Sequence, residues 1–111
     1  MAAKQQVQPY SKEQIRLRFI IAVRWLVANH PEVEEQNDLV EIIGTNKANF
    51  SRVFTSETNY PQDYWLSALV YHFNISGDWL LTGRGDMQAG RNVIERVQAL
   101  EFQMGHLMKK K

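Results

Sequence analysis

Around position 50 the chain concentrates side chains that can read a flat polar edge. Lys47 and Arg52 are donors that fit guanine O6 and N7. Asn49 presents an amide donor and acceptor side by side, the pattern that pairs with adenine N6 and N7. Ser51 can reach a base or a phosphate, and Ala48 leaves room for close approach. Asn46 before this cluster, and Thr55, Ser56, Asn59 and Tyr60 after it, are short or hydroxylated groups suited to backbone oxygens. No other part of the chain offers comparable chemistry. His30, His72 and His106 are widely separated, without metal-ligand spacing, and there is no cysteine, which removes thiolate zinc sites, disulfides and cysteine nucleophiles. Ser51 has no histidine beside it, and the GxSxG, P-loop and HExxH patterns are absent. The chain therefore reads as no enzyme, with no metal, cofactor or small-molecule substrate.

The elements that must position these groups are helical. Ser11 followed by Gln14 is a capping pattern. Ile15, Phe19, Ala22, Val23, Leu26 and Val27 then recur at spacings of three and four, and Pro31 closes the run, predicting a first helix over about 12–29. Leu39, Val40 and Ile43 form a second, short stripe ended by Gly44, the residue that turns left-handed at a helix C-terminus. Asn46 is the N-cap of a third helix over 47–54 that points Phe50, Val53 and Phe54 inward. Two short helices around a glycine turn are the pattern of a helix-turn-helix. Pro61 suits the first turn of a fourth helix running through Tyr64, Trp65, Leu66, Ala68, Leu69 and Phe73 to about Asn74. Ser76 caps a fifth, ending at Leu81 before Gly83. Trp25, Trp65, Tyr71 and Trp79 are expected in the core.

The stretch TGRGDMQAG (82–90) holds three glycines and reads as flexible, which sets a linker over 84–91. Beyond them Val93, Val97, Leu100, Met104 and Leu107 are spaced four, three, four and three, a heptad seam over a C-terminal helix within 92–111. Such a seam can fold back on its own domain or pair two chains, and the glycines and strict spacing favour pairing into a homodimer. Two heptads are marginal alone, so domain surfaces should assist. Residues 1–10 read as a flexible arm and 11–83 as the domain.

A hydrophobic fraction of 44% supports a core in a chain of 111 residues. The opening MAAKQQVQPYSKEQ lacks the apolar run of a secretory leader, and no stretch could span a bilayer, so a cytoplasmic protein is expected. Net charge is only +1, but its distribution is uneven. Lys4, Lys12, Arg16, Arg18 and Arg24 stand against Glu13 alone in residues 1–30, while Glu32, Glu34, Glu35, Asp38 and Glu41 face no base in residues 31–44. This pattern predicts one basic face, with Arg16 and Arg18 adding salt-sensitive attraction for a polyanion and Lys109–Lys111 forming a solvated end.

Two segments carry a resemblance. QNDLVEIIGTNKANFSRVF (36–54) resembles helix 2, turn and recognition helix of the lambda-repressor-like proteins, the XRE or Cro/C1 family of helix-turn-helix regulators. FNISGDWLLTGRGDM (73–87) is similar to the last helix and exit of phage-repressor-type members, and YPQDYWLSALVYHF (60–73) has the length of their fourth helix. Val40 and Val70 depart from the small alanine usual at those places. The resemblance implies an all-α, five-helix DNA-binding domain followed by the C-terminal helix. It implies that Lys47, Ala48, Asn49, Ser51 and Arg52 face base edges, and that Gln36 and Asn37 at the start of the second helix hold phosphate. A dimer would set two recognition helices about 34–36 Å apart on double-stranded DNA and repress by occluding a promoter. The alternative is a protein-interaction module, antitoxin-like or anti-repressor, in which DNA is secondary.

Overall fold

The structure is a computed structural model describing residues 8–89. It bears out the all-α class: the described residues form five helices and no strand beyond one isolated bridge. They are α1 (Lys12–Asn29), α2 (Gln36–Ile43), α3 (Lys47–Thr55), α4 (Asp63–Phe73) and α5 (Gly77–Thr82). The seam from Val93 to Leu107 lies outside the described residues.

The expected caps are present because each is a local event. Ser11 Oγ accepts from the Gln14 N–H at 3.2 Å, Asn46 Oδ1 from Asn49 at 2.8 Å, and Ser76 Oγ from Trp79 at 3.1 Å. Gly44 and Gly83 are left-handed, with φ of 83° and 79°. One expectation shifts. Pro61 is not in the first turn of α4, because Gln62 is the N-cap and the helix begins at Asp63.

Around α1 the core is aromatic. Phe19 packs against Phe50 of α3 (5.8 Å between ring centroids) and Trp65 of α4 (6.0 Å), and Phe50 and Trp65 stand 5.3 Å apart. These distances lie in the range where ring pairs attract beyond simple area burial. Leu26, Leu39, Val53, Leu69, Ile75 and Leu80 fill the rest. Trp25 and Trp79 are half-buried against this cluster, but Tyr71 is not a core residue: it is 85% exposed.

Arg16 and Arg18 overturn the expected basic face. Each is only 8% exposed. Arg16 Nε donates to the Val53 carbonyl at 2.8 Å, and Arg18 Nε donates to the Leu80 carbonyl at 2.9 Å. Both carbonyls belong to the last turns of α3 and α5, where no intrahelical donor remains. The two guanidiniums therefore close two helix ends whose dipoles favour a cation. Arg18 also donates to the Pro9 carbonyl, holding the start of the described chain, and partial loss of water lowers its pKa from the ordinary value.

The stretch expected as a linker is tied down through its described part. Ser76 N–H donates to the Met87 carbonyl at 2.7 Å and Ala89 N–H to that of Asn74 at 2.9 Å, around an antiparallel bridge between Ile75 and Gln88. Met87 packs on the core. Residues 83–89 thus form a strap that returns the chain from the end of α5 to its beginning.

Replacing Arg18 by Met keeps the apolar stem and removes the donors, leaving a buried carbonyl unpaired. The expected cost is about 1–3 kcal/mol in urea unfolding, whereas Arg24→Met on the exposed side of α1 stays within about 0.5 kcal/mol. Equal losses at the two positions would show that the Leu80 bond contributes nothing.

Candidate nucleic-acid interface

Helices α2 and α3 are joined by Gly44, Thr45 and Asn46. The turn is sharp because Gly44 adopts a left-handed backbone, letting the Gly44 and Thr45 N–H groups both donate to the Val40 carbonyl, at 3.0 and 3.1 Å. Asn46 then starts α3 at once. Val40, where a small residue was expected, is accommodated with 7% exposure.

The rotation of α3 about its axis is fixed from behind. Phe50 and Val53 are buried, Phe54 packs on the core at 5.4 Å from the Phe50 ring, and Arg16 holds the Val53 carbonyl. The opposite face must therefore be outward. Lys47, Ala48, Arg52 and Thr55 are exposed, and Asn49 and Ser51 are half-buried at the edges of that face. The expected division of α3 into inward and outward residues agrees with this placement.

Within the face, Asn49 and Arg52 are not independent. Arg52 Nη1 donates to Asn49 Oδ1 at 3.1 Å. A bidentate pairing of Asn49 with adenine needs that same oxygen, so the arginine must release it or share it. The Thr55 hydroxyl donates back to the Ser51 carbonyl at 3.3 Å, a local helix bond that occupies its proton.

The loop after α3 has its own order. Ser56 and Thr58 hydroxyls lie 3.0 Å apart, Asn59 N–H donates to the Ser56 carbonyl at 3.3 Å, and Lys12 Nζ sits 5.9 Å from the centre of the Tyr60 ring. Lys12 is therefore a cation beside this loop that its sequence position, at the start of a different helix, did not reveal. Side-chain hydrogen bonding, chiefly with Thr45, holds the Tyr64 phenol below its ordinary pKa.

At the start of α2 the two residues expected to hold phosphate stand among acidic groups. Gln36 is exposed and Asn37 half-buried, but Asp38 Oδ2 already accepts from the Glu34 and Glu35 N–H groups, at 2.8 and 3.1 Å. The exposed Glu34 and Glu35 add charge of the wrong sign for an anion.

Charge across the described surface is sparse. Residues 8–89 contain seven lysines and arginines against ten aspartates and glutamates. With Arg16 and Arg18 buried, the exposed cations are Lys12, Arg24, Lys47, Arg52 and Arg84. Two of the five stand on α3. Among the described residues no group of histidine and carboxylate side chains could hold a metal ion, and no helix is long and apolar enough to cross a membrane. His30 serves the fold: its Nδ1 accepts from Glu32 N–H at 3.2 Å and its ring stands edge-on to Phe73.

No family model matches the chain, and no curated protein or solved structure matches it either.

The turn yields a direct test. At φ 83° a side chain at position 44 would meet no neighbour within 4 Å, so any penalty there is backbone strain alone. Gly44→Ala should cost about 1–2 kcal/mol in thermal unfolding, and Gly44→Asn distinctly less because asparagine tolerates the left-handed region. A neutral Gly44→Ala would mean the turn can open without strain.

Proposed function

We propose that α2, the Gly44–Asn46 turn and α3 act as a helix-turn-helix of the lambda-repressor-like kind that binds double-stranded DNA in a sequence-specific way. In this reading α3 enters the major groove and the chain regulates transcription, as a repressor, by occupying a promoter. The observation that carries it is the outward face of α3. Lysine, amide, hydroxyl and guanidinium groups share one side of a short helix whose other side is locked by Phe50, Val53 and Arg16. A rigid helix with a polar outer face is what direct base readout requires. Lys12 beside Tyr60, and the paired hydroxyls of Ser56 and Thr58 in the loop that follows α3, are groups that can hold phosphate oxygens in this reading.

With few exposed cations, the domain gains little from non-specific attraction. Specific contacts from α3 must then carry a large share of the affinity. The excess of acids over bases in residues 8–89 also favours a second reading, a protein-interaction module of the antitoxin-like or anti-repressor kind that would bury the same α3 face in a partner.

Selection of a site from random duplexes by the full chain, followed by anisotropy titration, separates the two. Asn49→Ala and Arg52→Ala should each weaken binding by about 10- to 100-fold, the equivalent of one lost base-edge pairing, with helix content by circular dichroism unchanged. Because the two side chains are bonded to each other, the double variant should lose less than the product of the single effects. Absence of salt-sensitive binding to any duplex by a folded chain would overturn the DNA reading and leave the interaction module.

A further inference from the structure

The described surface has a concavity that the proposed DNA face does not use. It is an apolar groove of about 580 Å³ between α4 and α5, lined by Leu66, Ser67, Val70, Tyr71, Leu80 and Leu81. Val70 is 39% exposed, Leu81 46% and Tyr71 85%. Asp63 at the start of α4 and Gly77 at the start of α5 also belong to its wall, so the groove runs along most of α4.

Where the chain leaves the described structure bears directly on this groove. The strap brings Ala89 to the Asn74 carbonyl and Met87 to Ser76, between the end of α4 and the start of α5. Gly77 lies there against Val70, and a methyl added to it would stand 3.7 Å from Val70 Cγ2. The chain therefore exits at the end of the groove where Val70 and Tyr71 are uncovered. Only residues 90–92 separate Ala89 from Val93, a span of at most about 14 Å when extended.

We infer that the groove is the seat of the chain's own apolar seam, with Val93, Val97 and Leu100 running antiparallel to α4. The lengths agree. Helix α4 extends about 16 Å at 1.5 Å per residue, and Val93 to Leu100 covers about 10 Å on the same scale. Val93 then meets Val70 and Tyr71, Val97 falls one turn further on beside Leu66 and Ser67, and Leu100 approaches the Asp63 end. Met104 and Leu107 continue past the start of α4. A tether this short holds the seam at an effective concentration in the millimolar range, which favours its own groove over a second chain. The strap is what makes this geometry available: a chain released at the end of α5 would depart from the opposite end of that helix.

The absence of native cysteine makes the test clean. In the full chain, Ser67→Cys with Val97→Cys should close an intramolecular disulfide under mild oxidation, seen as a monomer that has lost two hydrogens. It should form faster than in a Thr58→Cys/Val97→Cys control, where the first thiol is outside the groove. Predominantly cross-linked dimers, or no advantage over the control, would overturn the inference, the first outcome in favour of pairing between chains. A second measurement keeps Val97 intact in its reference protein. A small thiol reagent should label Ser67→Cys slowly, and adding Val97→Asp should speed labelling on the order of tenfold by releasing the seam. An unchanged rate in a folded chain would overturn the proposal. Neither readout involves DNA, so its failure and that of the DNA reading are separately visible.

Discussion

A carbonyl at the buried end of a helix needs a donor, and α1 supplies two such donors from a single turn. Arg16 and Arg18 are two residues apart, which places them about 200° apart around the helix axis. One reaches the end of α3 and the other the end of α5. These bonds bring a guanidinium donor from α1 directly onto the last-turn carbonyls of both helices. Together with the Phe19–Phe50–Trp65 cluster they define where α3 sits and which way it faces. The outward residues of α3 inherit their direction from the buried ones.

This arrangement assigns the basic residues of α1 to architecture, which changes the electrostatic character of the molecule. A burial of guanidinium is acceptable only with partners, and both arginines have carbonyl partners at helix ends. The surface is left with five cations in the described region, and the two on α3 stand out because so few others compete. An interface built on such a surface depends on fit at a few groups rather than on a broad field. The Asn49–Arg52 bond adds to that dependence, since the free protein already holds those two side chains in a defined mutual geometry.

Much of the fold was legible in the sequence because it is written locally. Ser11, Asn46 and Ser76 cap helices within three residues of themselves, and Gly44 and Gly83 end helices by their own backbone freedom. The inward and outward residues of α3 were implied by the family resemblance and agree with a 3.6-residue period. What escaped was tertiary. Arg16 bonds a carbonyl 37 residues away and Arg18 one 62 residues away, distances at which no capping pattern operates. A signal did exist: Arg16 stands three, four and seven residues before Phe19, Ile20 and Val23, on the buried stripe itself. The glycines of 82–90 suggested freedom, but the bonds that fix 87–89 belong to the backbone of Asn74 and Ser76, and composition does not record backbone pairing. Tyr71 looked like core because aromatic residues at helical spacing usually are. The acids around the start of α2 were visible, but not the capture of two N–H groups by Asp38.

The arginines of α1 also set an order of events in time. During synthesis α1 emerges before α5, and the guanidinium of Arg18 finds its carbonyl partner only once Leu80, 62 residues later, has been made and α5 has turned. A cation deprived of its partner resists burial, so the nascent α1 keeps one side hydrated while α2, α3 and α4 gather on the other. Burial of the Arg18 side of α1 therefore requires the long loop between residues 18 and 80 to be closed, which ties one face of the helix to the arrival of α5.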